Sequence, residues 1–154
     1  VGYAVTVFEA GPEAGGVLAW GIPDFRLPKA IVRGEVRDIA QLGVEIQTGK
    51  TVDNPARLLD DGYSAVILAT GSQASTPLGI EGEDAEGVLD CLDFLKGVSA
   101  GERKELAGKA VVIGGGSAAL DSARTAVRLG ARVAVAYRRT EAEMPADALE
   151  VAEE

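Results

Sequence analysis

Apolar and polar positions along this chain fall into short blocks whose period keeps switching between strand-like and helix-like. Ala4-Val5-Thr6-Val7-Phe8-Glu9 is β-branched and largely apolar, the pattern of a short strand. A loop rich in glycine and proline follows from Gly11 to Pro28. Pro28 opens a predicted helix, with Val32, Val36 and Ile39 at i, i+4 and i+7 and Gly43 as its stop; Gly34 weakens its interior. Val44-Glu45-Ile46-Gln47-Thr48 alternates as a strand should, Leu58-Leu59 suit a short helix, and Tyr63 to Thr70 reads as a buried strand ending in Ala69-Thr70-Gly71. Residues 72–107 are less regular, with a helical patch around Leu92–Leu95. Val111-Val112-Ile113 is a fourth, apolar strand, which runs into Gly114-Gly115-Gly116. The helix beyond it carries Leu120, Ala123 and Val127 on one face and stops at Gly130. Val133 to Tyr137 forms one more strand, and from Thr140 onward the chain is acidic and helix-prone.

Strands alternating with helices in this way imply an α/β fold with parallel sheet layers. The polar stretch Ser99 to Lys109 reads as a linker (99–109) between two units, 1–98 and 110–154.

Composition narrows the class. Of 154 residues, 47% are hydrophobic and 25% charged, as in a globular domain. The formal charge of −9 leaves no basic stripe to neutralise phosphates, so nucleic acid is not an expected partner. Nor is a membrane, since no apolar run approaches the ~18 residues a span needs. The lone Cys91 forbids an internal disulfide or a C-x-x-C pair, no metal site is expected, and a cytoplasmic setting fits. Histidine is absent, which removes the commonest acid/base group. The only methionine is Met144, so the chain reads as an internal fragment of a longer protein.

The chemistry concentrates at strand ends. Gly114-Gly115-Gly116-Ser117-Ala118-Ala119 has the form G-x-G-x-x-A between a strand and a helix, where backbone N–H groups can approach a pyrophosphate at the positive end of the helix. Ser117 can cap that helix or donate to a phosphate, and Asp121 suits the helix dipole. The next strand ends at Tyr137-Arg138-Arg139, where such folds usually place an acid for a ribose 2′-hydroxyl. Two arginines there suit a 2′-phosphate, hence NADP(H) over NAD(H). Glu9 ends the corresponding strand of the first unit, where a carboxylate can accept ribose hydroxyls. Gly15-Gly16 leaves room for close approach of a cofactor. Arg26 lies in a proline-stiffened loop with cofactor phosphate, a flavin edge or a structural carboxylate as possible partners. Trp20 and Phe25 read as packing residues.

These residues together resemble a known family. G-Y-x-V-T-V-F-E-A (2–10), G-G-x-L-x-x-G-I-P-x-F-R-L-P-K (15–29), A-T-G (69–71), G-G-G-x-x-A-x-D-x-A-R-T-A-x-R-L-G-A (114–131), Y-R-R (137–139) and E-M-P-A (143–146) are similar to the small-subunit family of NADPH-dependent glutamate synthase. The flavoprotein part of dihydropyrimidine dehydrogenase is similar as well. The resemblance spans nearly the whole chain and implies two Rossmann-like dinucleotide-binding units. Residues 1–98 become a partial FAD-binding domain, and 110–154 the N-terminal part of an NADP(H)-binding domain. It assigns FAD to Glu9, Gly15, Gly16, Val17, Arg26 and the backbone near Val52 and Thr70-Gly71. NADPH goes to Gly114, Gly115, Gly116, Ser117, Ala118, Ala119, Arg138 and Arg139, with Ser117 standing where the family has asparagine.

The family's first strand with its glycine turn, and its iron–sulfur cysteines, would lie ahead of Val1. The isolated stretch is therefore expected to hold FAD poorly and to be inactive, with iron–sulfur clusters in the parent protein only. The implied activity passes a hydride from NADPH to FAD and electrons onward to a partner such as a glutamate synthase large subunit. No catalytic side chain is assigned, because hydride transfer needs juxtaposed rings and excluded water. The alternatives are a flavoprotein disulfide reductase similar to thioredoxin reductase, and a non-catalytic NADP(H)-binding module.

Overall fold

The computed structural model describes residues 2–152, without the side chains of Leu149 and Ala152. The end of the acidic tail, Glu153-Glu154, lies outside the described residues. The chain is mixed α/β with parallel strands, in two compact units: residues 1–19 with 27–73, and residues 20–26 with 74–154.

In the first unit, strand β1 (Thr6–Phe8) pairs in parallel with β2 (Glu45–Gln47), Val7 opposite Ile46. Helix α1 (Val17–Trp20) is one turn long, and helix α2 (Lys29–Gln41) supplies the crossover. Pro28 caps α2, and the chain leaves it through Gly43 at φ 91°, a left-handed turn that glycine takes without strain. Val32 is the buried residue of α2. Phe8 meets Tyr63 edge-to-face with ring centroids 6.0 Å apart. Helix α3 (Arg57–Asp60) covers the predicted Leu58-Leu59 helix. The predicted strand Tyr63–Thr70 does not form. An extended segment becomes a strand only by exchanging hydrogen bonds with a neighbour, and β1 and β2 make a sheet of two. Ile67 is accordingly 87% exposed.

In the second unit, helix α4 (Cys91–Ser99) packs on helix α5 (Ser117–Arg128). Phe94, Leu95, Ala126 and Ala131 form the buried cluster, flanked by Val98, Leu106, Ala110, Leu129 and Val133. Strands β3 (Lys109–Ile113) and β4 (Arg132–Ala136) pair in parallel over their whole length, Lys109 opposite Arg132 and Ile113 opposite Ala136. Residues 74–98 thus cluster with the second unit, on the far side of the boundary expected at 99–109. A short 3-10 helix (Glu141–Glu143) and helix α6 (Ala148–Ala152) complete the chain. Helix α5 is buried on more than the expected stripe: Leu120 and Ala123 are inside, but so are Asp121, Ser122 and Thr125. Val127, expected inside, is 56% exposed. Among the described residues no helix is long and apolar enough to cross a membrane.

Candidate functional site

The second unit assembles the more complete of the two candidate nucleotide sites. Parallel pairing in register brings the carboxyl ends of β3 and β4 side by side, with Gly114 N–H donating to Ala136 O at 2.9 Å. The glycine turn and the arginine pair therefore issue from the same sheet edge, where doubly wound folds bind their ligands.

Each glycine of the turn has its own reason. Gly114 takes φ 139°, which disfavours any side chain. Gly115 is buried, and a Cβ there would fall 2.8 Å from Tyr137 Cδ2 and 3.0 Å from Met144 Cγ. Gly116, the N-cap of α5, is extended at φ −90° and faces open space, with no atom within 4 Å of a Cβ position. No side chain caps this helix end, since Ser117 is its first residue and not its cap. An uncapped helix N-terminus behind an open glycine presents N–H groups and positive dipole to an anion. These residues thus fit a dinucleotide pyrophosphate.

Arg138 and Arg139 follow β4 on the surface. Neither guanidinium forms an ion pair or hydrogen bond with a described residue. The chain behind them folds back as a strap over the glycine turn. Ala146 N–H donates to Gly115 O at 3.1 Å, and Tyr137 Oη to Glu143 O at 3.0 Å. Sequence reasoning gave Tyr137, Met144 and Ala146 no role, although E-M-P-A stood within the resemblance.

Arg26 has carboxylates for partners. Its guanidinium donates to Asp121 Oδ2 at 2.8 Å and also pairs with Glu150 Oε1. Asp121 is only 4% exposed, and its Oδ1 finds no donor among the described residues. Burial raises the Asp121 carboxyl above its ordinary value, and Arg26 only partly offsets this. Burial also works against the Arg26 charge, but the hydrogen bond and the fields of Asp121 and Glu150 prevail and raise its pKa. Two cation–ring contacts hold the same loop: Lys96 Nζ lies 5.3 Å from the Trp20 ring centre, and Arg128 Cζ 3.8 Å from that of Phe25. Phe25 is nonetheless 42% exposed.

In the first unit, Glu9 follows β1, and its Oε1 accepts from Gly11 N–H at 2.7 Å. Backbone bonds from Gly49 N–H to Gly11 O and from Lys50 N–H to Glu9 O tie this turn to the chain leading into half-buried Val52. Gly15 takes φ 125°, and a Cβ there would fall 2.9 Å from Val32 Cγ1, so the turn presses against α2. Gly16, at φ 53°, is open, and Val17 starts α1. Thr70 and Gly71 are exposed, outside any strand.

Comparison with known proteins bears on this arrangement. The family described as pyridine nucleotide-disulphide oxidoreductase matches residues 29–154. The chain is 48% identical to the beta subunit of an NADP(+)-dependent formate dehydrogenase from Moorella thermoacetica, over 97% of this chain and 22% of that protein. It is 39% identical to the beta subunit of an NADPH-Fe(3+) oxidoreductase from Geobacter sulfurreducens (97% and 24%). It is 38% identical to the small chain of an NADPH glutamate synthase from Escherichia coli (97% and 35%). The chain thus spans between a fifth and about a third of these relatives. A solved structure of a 2-naphthoyl-CoA reductase in complex with 2-naphthoyl-CoA shares the fold at a TM-score of 0.67, with 23% identity, over 87% of this chain and 20% of that one.

Proposed function

The chain belongs to the pyridine nucleotide-disulphide oxidoreductase family, and from that premise we propose that it is part of an NADPH-dependent, FAD-containing oxidoreductase that sends electrons onward to iron–sulfur centres or a partner subunit. One arrangement carries the reading: the open Gly116 at the end of the glycine turn after β3, and two arginines after the adjacent β4 that pair with no described residue. NADPH-linked names among the relatives support the nucleotide, and the terms "subunit beta" and "small chain" support a partner.

The residues act by binding and placing. Gly116 lets the backbone come close to the pyrophosphate, and the N–H groups opening α5 meet its charge. Arg138 and Arg139 meet the 2′-phosphate, with guanidinium forks suited to bidentate contact. Glu9 would hold the hydroxyls of the FAD ribose, and Gly15, Gly16, Val17 and the backbone at Val52 and Thr70-Gly71 would contact that cofactor. FAD, when bound, supplies two-electron acceptance from a reduced nicotinamide and onward electron delivery. The alternative, a disulfide reductase, would carry its cysteine pair outside this segment, whose one cysteine is Cys91 on α4.

Replacing both Arg138 and Arg139 with alanine should lower NADP+ affinity about tenfold or more and leave NAD+ affinity within about twofold. Titration calorimetry with both nucleotides tests this, and equal losses would remove the assignment.

A further inference from the structure

The arginine pair is trailed at once by two acids, in the order Arg138-Arg139-Thr140-Glu141-Ala142-Glu143. Carboxylates this close in sequence are natural competitors for the arginines, and any that paired with them would oppose a phosphate ligand. For Glu143 the structure shows another arrangement. Its Oε2 accepts from Thr140 Oγ1 at 2.8 Å and from Thr140 N–H at 3.2 Å, while its own N–H donates to Thr140 O at 3.0 Å. This is a reciprocal capping box on the 3-10 helix. The carbonyl of Glu143 is held as well, by the Tyr137 hydroxyl. Both ends of the residue are thus committed inside the strap, and neither arginine pairs with a described residue.

We propose that the Thr140–Glu143 box is a specificity device: by holding the Glu143 carboxylate away from Arg138 and Arg139 it keeps both cations free for the 2′-phosphate that separates NADP(H) from NAD(H). Thr140 is then a positioning residue, acting on the ligand through the acid it restrains. The inference rests on the reading of the arginine pair given above. The Glu143 carboxyl is held below its ordinary value by its bonds to the Thr140 hydroxyl and backbone, so it is an anion in need of restraint at neutral pH.

Calorimetric titration of the protein with NADP+ and NAD+ tests the proposal across four variants. Thr140→Val removes the hydroxyl at constant shape; it should weaken NADP+ binding by about threefold to fivefold, the size of one surface ion pair, and leave NAD+ binding unchanged. Thr140→Ser should restore the original preference. Adding Glu143→Gln to Thr140→Val removes the released charge and should also restore NADP+ binding. If the box merely stiffened the loop, the double variant would bind NADP+ no better than Thr140→Val alone, and that result overturns the proposal. So does an equal loss for both nucleotides, or no loss, in Thr140→Val. The Arg138→Ala/Arg139→Ala variant separates the two levels. If it leaves the nucleotide preference intact, the arginine reading fails; if it abolishes the preference while Thr140→Val does not alter it, only the role of the box fails.

Discussion

Neighbouring glycines of the phosphate turn make opposite demands. A methyl on Gly115 would be driven into Tyr137 and Met144, whereas one on Gly116 would have no described atom within 4 Å. Gly115→Ala should therefore cost about 1–3 kcal/mol of stability through overpacking. Gly116→Ala should cost about 1 kcal/mol or less, since φ −90° is open to alanine and only cap preference is lost, yet it should abolish most NADP+ binding by filling the approach to α5. Thermal melting beside nucleotide titration separates the two; a Gly116→Ala protein that binds normally would show that the pyrophosphate lies elsewhere. The turn itself was legible in the sequence, because local spacing writes it. What covers Gly115 was not, since a ring from the end of β4 and a thioether brought back by the strap leave no local pattern. The same holds for Arg26: three kinds of partner were open, and the structure shows the carboxylate kind, from residues as distant as Asp121 and Glu150.

Helices announced themselves by period and punctuation. The boundaries of α2 and α5 follow Pro28, Gly43, the glycine turn and Gly130. Strands depended on company, which is why 63–70 misled: its apolar run describes burial that a two-stranded sheet does not provide. Helix α4 shows how much a single cap contributes. Asp90 Oδ1 accepts from Leu92 N–H at 2.8 Å and Asp93 N–H at 3.1 Å. Burial opposes its charge, but the Ser75 hydroxyl and the N–H groups of Asp93, Leu92 and Cys91 hold the carboxyl below its ordinary 3.8. A carboxyl with a lowered folded pKa stabilises above its unfolded value, and that stability is lost as pH falls through the folded one. Asp90→Ala should cost about 1 kcal/mol near neutrality, and its urea midpoint should converge on that of the parent protein in acid. A constant difference across that range would deny the cap its charge-dependent part.

At the scale of the whole molecule, the second unit is built from two separated stretches of chain. Residues 20–26 leave the first unit, join the second and return. They are held there by Arg26 on Asp121 and Glu150 and by the cation–ring contacts at Trp20 and Phe25. Arg26→Ala would leave the buried Asp121 beside Glu150 without its cation. Removing one partner of a fully buried pair costs about 3–5 kcal/mol; with the guanidinium 31% exposed, about 2 kcal/mol is expected here. Without Arg26 the folded Asp121 pKa rises further above its unfolded value, so the folded state takes up a proton first and the deficit should shrink as pH falls. Arg26→Ala/Asp121→Asn should lack that recovery, and denaturant midpoints measured across the acid range would expose the contrary. The interleaving also bears on how such a module can be inherited or cut. A segment beginning at residue 74 would carry both acids and leave their cation behind. A gene fusion or expression boundary must therefore include the excursion at 20–26 if the unit is to be transplanted whole.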